Sequence, residues 1–268
     1  MEQPQLSDRE FTLFQKMIYD VAGIHMTPVK KALVSGRLAK RIKLLGFSSY
    51  GEYFRLLSKR GEPEMQIAVD LLTTNETYFF REAKHFDFLR DRILPQWKHG
   101  SRRLWSAASS SGEEAYTLAM VMKEHWKHDT WEIIGTDIST RVVERARLGH
   151  YPMARASNIP RQFLSHYCLK GIGGQTGTFL MSDEIRSHTQ FRHANLKSDL
   201  TELGLFDVIF LRNVMIYFDM ATKQQVAGRV ISQLKPGGYL MVGHSESLNG
   251  VTTELTAVAP SIYLKPSI

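Results

Sequence analysis

The sequence predicts an α/β protein, a doubly wound and mostly parallel sheet with a small inserted β-subdomain, preceded by an all-α N-terminal domain. Three observations predict it. The first seventy or so residues space their apolar side chains as helices do and show no strand signal. From about residue 101 strand-like and helix-like stretches alternate. Between Tyr151 and Thr189 a glycine-bearing segment interrupts that alternation.

End signals place the helices of the first part. Ser7-Asp8-Arg9-Glu10 is a capping box, and Phe11, Phe14, Ile18 and Val21 follow at helical spacing until Gly23 stops the run. Thr27 caps a second helix with Pro28 in its first turn, running to Gly46. A third begins near Ser49, and a fourth near Pro63 carries Met65, Ile67, Ala68, Leu71 and Leu72. We expect a helical domain over 1–72 and a second domain over 73–268.

In the second part RRLWSAA leads into a helix from Glu113 to Trp126, and WEIIGTDI into one from Ser139 to Leu148. QFRHANL and FDVIFLRN read as further strands. A helix from Ala221 to Leu234, the turn Lys235-Pro236-Gly237-Gly238 and the strand YLMVGHSE come next. ELTAVAP and SIYLKPS pair antiparallel, because too few residues separate them for a crossover helix. A doubly wound sheet ending in a hairpin suits a class I, Rossmann-like methyltransferase better than a dehydrogenase. The interrupting piece, about 155–189, reads as an inserted β-subdomain in which IPRQFLSHYCL gives way to the glycines of KGIGGQTG and then to TFLMS.

The composition is that of an ordinary globular chain, 268 residues with 43% hydrophobic and 23% charged. MEQPQLSDRE lacks a basic start followed by an apolar core, and the most apolar stretch, FDVIFLRNVMIYF, is short and carries Arg212. We therefore expect a soluble, untargeted protein that does not insert into membranes. Cys168 is the sole cysteine, which fits a reducing cytoplasm. A net charge of +7 implies an acidic partner without choosing among nucleic acid, membrane surface and protein.

Nucleotide-like ligands bind beyond the carboxyl ends of parallel strands. The first strand here runs into Ala107-Ala108-Ser109-Ser110-Ser111-Gly112-Glu113-Glu114, a small-residue turn that is not GxGxxG. Its two glutamates would repel a pyrophosphate and attract a cation. S-adenosylmethionine carries a sulfonium and an ammonium and no phosphate. Asp137, ending the second strand in IIGTDIS, can accept hydrogen bonds from both ribose hydroxyls; its plainer role is to cap the helix that follows. Asn195, Arg212 and Asn213 at the next two strand ends make the combination more specific than any member.

TTNETYFFRE, SSGEEAYTLA, GTDIS, the ANL of Ala194 to Leu196, FLRNVMIYF and GHSES, in this order and spacing, resemble the chemotaxis receptor methyltransferases, the CheR family. The likeness covers almost the whole chain. It implies transfer of a methyl group from S-adenosyl-L-methionine to glutamate side chains of chemoreceptors, leaving S-adenosyl-L-homocysteine. It implies that Asn75, Thr77 and Arg81 line the cofactor pocket at the domain junction, that Glu114 contacts the methionine or adenosyl part, and that Asp137 binds the ribose. Asn195, Leu196, Arg212 and Asn213 match residues at the adenine and methionine sides, and Arg81 and Tyr217 those beside the transferred methyl. Ser111 and Ala115 stand where threonine and proline are frequent in the family.

Methyl transfer to a carboxylate cancels an anion against a sulfonium, so a strong ion pair to the substrate would stabilise the ground state more than the transition state. A glutamate with pKa near 4.3 is already ionised at neutral pH and needs no general base. Arg81 would hold the pocket backbone or one carboxylate oxygen, and the Tyr217 hydroxyl would direct the nucleophile. Taken singly, each has a plainer reading as an ion-paired arginine and a packed tyrosine.

On the helix from Val29 to Leu45, Lys30, Arg37 and Arg41 fall within roughly 40° of one another at about 100° per residue. They adjoin an apolar stripe of Val34, Leu38, Ile42 and Leu45. We expect this basic stripe to point outward, and the resemblance implies that it faces acidic receptor helices. Gly171, Gly173 and Gly177 form a hairpin turn in the plain reading; in the family, a similar loop belongs to a β-unit that adds a receptor's C-terminal pentapeptide as a strand. A nucleic-acid methyltransferase is the main rival, favoured by the charge, but the Asn-Pro-Pro-Tyr motif is absent. A noncatalytic adaptor would have lost pocket residues. We expect a monomer, no nucleic acid and no metal, since His125 and His128 have no nearby ligand set.

Overall fold

The computed structural model describes residues 4–59, 63–128 and 130–267. Four helices come first: α1 (Asp8–Ala22), α2 (Lys31–Leu44), α3 (Tyr50–Leu57) and α4 (Glu64–Leu72). The capping box of α1 forms as expected, Ser7 accepting from the Glu10 amide and Glu10 from the Ser7 amide. Phe14, Ile18, Val34, Leu38, Tyr50 and Tyr53 close a separate core among these helices.

Thr27 makes no side-chain cap. Pro28–Lys30 is a single 3-10 turn, and α2 proper starts at Lys31. The stretch before the sheet, which has no sequence assignment above, is helical: α5 (Lys84–Phe88) passes through a π-turn (Leu89–Ile93) into a 3-10 turn (Leu94–Gln96).

Strands β1 (Arg102–Ala107), β2 (Trp131–Asp137), β6 (Thr189–His193), β7 (Phe206–Leu211) and β8 (Leu234–Val242) are parallel, with α6 (Glu113–His125), α7 (Thr140–Leu148) and α10 (Met220–Ser232) between them. The hairpin β9 (Thr256–Ala259) and β10 (Ile262–Leu264) completes the order β6-β2-β1-β7-β8-β10-β9. β7 is buried at every position, as a central strand covered on both faces must be. One apolar cluster gathers α5, α6 and α7 on one face of the sheet, and a second holds α10 on the other.

The expected turn Lys235–Gly238 lies inside β8 as a bulge. Phe206 pairs with Leu234 and Val208 with Tyr239, so β8 carries the extra residues, and Gly237 and Gly238 bond to Lys265 rather than starting a new element.

The inserted unit is a three-stranded antiparallel sheet in the order β3-β5-β4, made of β3 (His150–Pro152), β4 (Cys168–Lys170) and β5 (Thr178–Met181). It includes the helices α8 (Arg161–Tyr167) and α9 (Asp183–Arg186). It opens earlier than expected, because His150–Pro152 pair with Thr178–Leu180, a long-range contact with no local signal.

The two parts of the chain are hydrogen-bonded together. Asp70 of α4 accepts from the Thr140 amide (3.0 Å), the Thr140 hydroxyl (2.7 Å) and the Arg141 amide (3.2 Å), capping α7 from outside. Lys197 donates to the Tyr19 and Asp20 carbonyls at the end of α1, both at 2.9 Å, which supplies the cation that helix lacks in its last turn.

Candidate functional site

One cavity lies at the carboxyl ends of the parallel strands and against the helical part. Asn75, Thr77, Arg81, Glu114, Asp137, Asn195, Leu196, Arg212, Asn213 and Tyr217 all line it. Ala22 at the end of α1 and Ile24, His25 and Met26 of the loop after it close one wall; nothing in their sequence spacing marks them.

Beyond β1 the chain turns tightly into α6, with Ala108 (φ 61), Ser110 (φ 51) and Gly112 (φ 95) in the left-handed region. This aims the Ser110 amide at Asp137 Oδ2 (2.9 Å), while the Ser139 amide reaches Oδ1 (2.9 Å). Asp137 is therefore a turn-capping residue and a cavity-lining one together. Burial raises its pKa, and the two amide bonds oppose that shift.

Arg212, at the end of β7, is buried and organises the opposite side. Its Nε donates to Glu114 Oε2 (2.7 Å), Nη1 to His85 Nδ1 (2.9 Å) and Glu82 Oε2 (3.3 Å), and Nη2 to the Arg81 carbonyl (2.8 Å). Glu114 also accepts from Ser106 (2.6 Å), so the negative charge at the start of α6 is paired internally. His85 must accept at Nδ1, since a guanidinium only donates, and its proton sits on Nε2. Burial pushes its pKa down to about 4, with the charges of Arg212 and His244 adding. Ligand atoms of Glu82, His85 and His244 converge within 4.8 Å, but Arg212 already donates to two of the three and makes the spot unlike a cation site.

Glu82 fastens the segment from the domain junction to two strand ends. It accepts from Asn213 Nδ2 (3.1 Å), Arg212 and the His244 amide (3.2 Å). Burial works against its charge, yet Asn213, Arg212 and His244 outweigh it and hold its pKa below the ordinary value. Neither Glu82 nor His85 is among the residues assigned from sequence, although both stand in the continuation of TTNETYFFR.

Arg81 donates from Nη1 to the Glu76 carbonyl (2.9 Å), bracing its own segment, and its guanidinium lies 5.7 Å from the Tyr78 ring centroid. Thr77 is buried, its carbonyl held by Arg155 (2.7 Å). Asn75 turns its carbonyl to the Ser110 hydroxyl (3.1 Å). Tyr217 follows Asn213 in a 3-10 turn, its carbonyl accepting from the His25 amide (2.8 Å). The Asn195 side chain donates to the Val21 carbonyl (2.7 Å). Asn195 is thus tied to the last turn of α1 and Tyr217 to the loop after it.

The basic stripe of α2 does not point outward as expected. Arg37 donates to the carbonyls of Leu72 (2.7 Å) and Thr73 (3.0 Å) and to the Thr74 hydroxyl (3.1 Å). Arg41 is ion-paired with Glu64, which Tyr53 also bonds (2.9 Å). Lys30 lies in the 3-10 turn before α2, outside the single helix expected to carry the stripe, and for Arg37 and Arg41 α4 and the residues after it supply carbonyls and a carboxylate in place of solvent. Only Lys30 is exposed, and it lines the cavity mouth. Gly171, Gly173 and Gly177 lie apart from the cavity in the β-unit. A side chain at Gly171 would meet the Gln175 carbonyl at 2.1 Å, and Gly173 and Gly177 have φ 56 and 87, so the tight connection itself requires glycine.

Comparison with known proteins gives concordant matches. The family model "CheR methyltransferase, SAM binding domain" matches residues 75–264, and "CheR methyltransferase, all-alpha domain" matches residues 9–73. The chain is 38% identical over 266 residues to the chemotaxis protein methyltransferase of Escherichia coli K12, covering 98% of this chain and 92% of that one. It is 38% identical over 269 residues to the chemotaxis protein methyltransferase of Borreliella burgdorferi, covering 96% and 94%. Chemotaxis protein methyltransferase 2 of Pseudomonas aeruginosa is 37% identical over 259 residues, covering 95% and 92%.

Proposed function

The chain belongs to the CheR methyltransferase family, and from that premise we propose that it methylates glutamate side chains of bacterial chemoreceptors. S-adenosyl-L-methionine is the methyl donor and S-adenosyl-L-homocysteine the product. The reaction is an in-line displacement in which a carboxylate oxygen forms the new bond to the methyl carbon while the methyl–sulfur bond breaks. The electron pair of that bond stays on sulfur, and no proton moves.

The observation that carries this reading is the convergence of Arg81, from the domain junction, and Tyr217, beyond β7, on a cavity whose other walls hold Asp137 and Asn195. In that cavity Asp137 binds the ribose, Asn195 and Leu196 the adenine side, and Glu114 with Arg212 and Asn213 the methionine side. Asn75 and Thr77 close it from the junction. Glu114 is held in place by Arg212 and Ser106, with its carboxylate at the cavity wall as an acceptor for the ammonium of the methionine part. Arg81 and Tyr217 orient a glutamate that is already ionised, about 3 Å from the methyl group, and neither removes a proton.

The helical part, 1–72, faces the receptor's acidic helices through Lys30, while Arg37 and Arg41 contribute by holding α2 against α4. The β-unit has β4 at an edge, with Leu169 and Ile172 exposed, which suits addition of a receptor C-terminal pentapeptide beside the Gly171–Gly177 loop. The protein works as a cytoplasmic monomer recruited to membrane-associated receptor clusters. No helix among the described residues is long and apolar enough to cross a membrane.

Incubation with methyl-labelled S-adenosylmethionine and receptor-bearing membranes of the same organism tests the proposal. Label on a receptor that alkali releases as methanol is expected. Alkali-stable label, or label on nucleic acid alone, would contradict it.

A further inference from the structure

Glu246, in GHSES beyond β8, is almost fully buried and carries no role in the reaction described so far. Its partners are backbone amides. Oε2 accepts from the Asn213 amide (2.7 Å) and the Gly243 amide (2.7 Å), and Oε1 from the Ile216 amide (3.2 Å). Burial raises its pKa against the pull of these amides, so the carboxylate is kept where desolvation opposes it. Its contacts are specific in shape. Asn213 is held at φ 57, and a Cβ at Gly243 would meet both Glu246 Oε2 and Asn213 Nδ2 at 2.7 Å, which makes glycine the residue that admits this approach.

The bonded amides bracket the turn that presents Tyr217. Asn213 starts it and Ile216 immediately precedes the tyrosine, while the Tyr217 carbonyl is held separately by His25. We infer that Glu246 is a positioning residue for methyl transfer: its two oxygens gather the amides of Asn213, Ile216 and Gly243 and so aim the Tyr217 hydroxyl at the reacting carboxylate. The inference rests on the role proposed for Tyr217 above. Glutamine cannot replace it, because one of its ends is an NH2 donor facing amide donors.

A double-mutant cycle on the full chain tests this, with turnover counted per site that binds S-adenosylhomocysteine. E246Q is expected to lower kcat by about 5- to 10-fold, no more than Y217F does, while the dissociation constant for S-adenosylhomocysteine changes by less than about 5-fold. Because Glu246 acts through Tyr217, E246Q/Y217F is expected to lie within about twofold of Y217F alone. Losses that multiply in the double variant, or normal kcat in E246Q, would overturn the inference. A second measurement covers the case in which E246Q does not fold: the wild-type amides of Asn213, Ile216 and Gly243 are expected to exchange with solvent slowly, and exchange as fast as in exposed loops would overturn it. A wild-type enzyme that yields no alkali-labile ester would instead contradict the function proposed above, and the amide exchange would still decide whether Glu246 holds the turn.

Discussion

Arg81 donates one N–H to the Glu76 carbonyl of its own segment, which fixes where the guanidinium sits, and in the function proposed above it orients the substrate. That matches the chemistry, in which charge disappears on the way to the transition state. R81A is expected to lower kcat/KM by at least about 100-fold with the fold intact, and Y217F by about 10-fold or more, measured by label transfer at saturating cofactor. Near-normal turnover in R81A would remove the assignment. His85 gives a prediction in pH. The unfolded chain protonates this side chain near 6.5, the folded protein only near 4, so between these values the unfolded state binds more protons and stability falls as pH drops. The difference is on the order of 3 kcal/mol by linkage. H85Q is expected to lose that part of the slope in denaturant titrations between pH 7 and about 4; parallel slopes for the two proteins would contradict the buried neutral histidine.

At the scale of elements, the cap of α7 comes from α4 and not from its own sequence. D70A is expected to cost about 1–2 kcal/mol in thermal or chemical unfolding, the usual worth of such a cap, and an unchanged midpoint would show that the ends of α7 are satisfied otherwise. The same contrast explains what the sequence could reveal. Ser7 and Ser49 cap helices through bonds spanning three residues, and both helix starts were legible for that reason. The strands that lead to Asp137 and Arg212 were legible because their apolar runs end in polar residues at the sheet's carboxyl edge, whereas β6, which leads to Asn195, has Phe191 as its one apolar residue. The strand at His150, the bulge at Lys235–Gly238 and the inward turn of Arg37 and Arg41 depend on partners from about 20 to more than 30 residues away, and no local pattern encodes them. Glu82 and Glu246 were visible as letters within two motifs, but their work is to hold other strand ends, which appears only when those ends are brought together.

For the whole molecule, the helical part and the sheet share the cavity, so in the function proposed above substrate docking and cofactor binding involve neighbouring contacts. Lys30 and Arg37 separate two effects of charge. K30E is expected to raise KM for receptor membranes several-fold at low salt and little at high salt, since an exposed cation acts through screened attraction. R37E is expected to lower the unfolding midpoint at every salt concentration, because it removes a donor from the Leu72 and Thr73 carbonyls. Salt-independent kinetics in K30E would dissociate the positive charge from receptor docking. Without a general base, kcat is expected to stay flat between about pH 6 and 8, and a steep rise with an apparent pKa near 7 would require a proton acceptor that this account lacks. The most direct measurement is peptide mass spectrometry of receptors treated with the wild-type enzyme and S-adenosylmethionine. The mass of one added methyl group on glutamate side chains, lost on alkaline treatment, is expected; methylation confined to lysine, arginine or nucleic acid bases would contradict glutamate esterification.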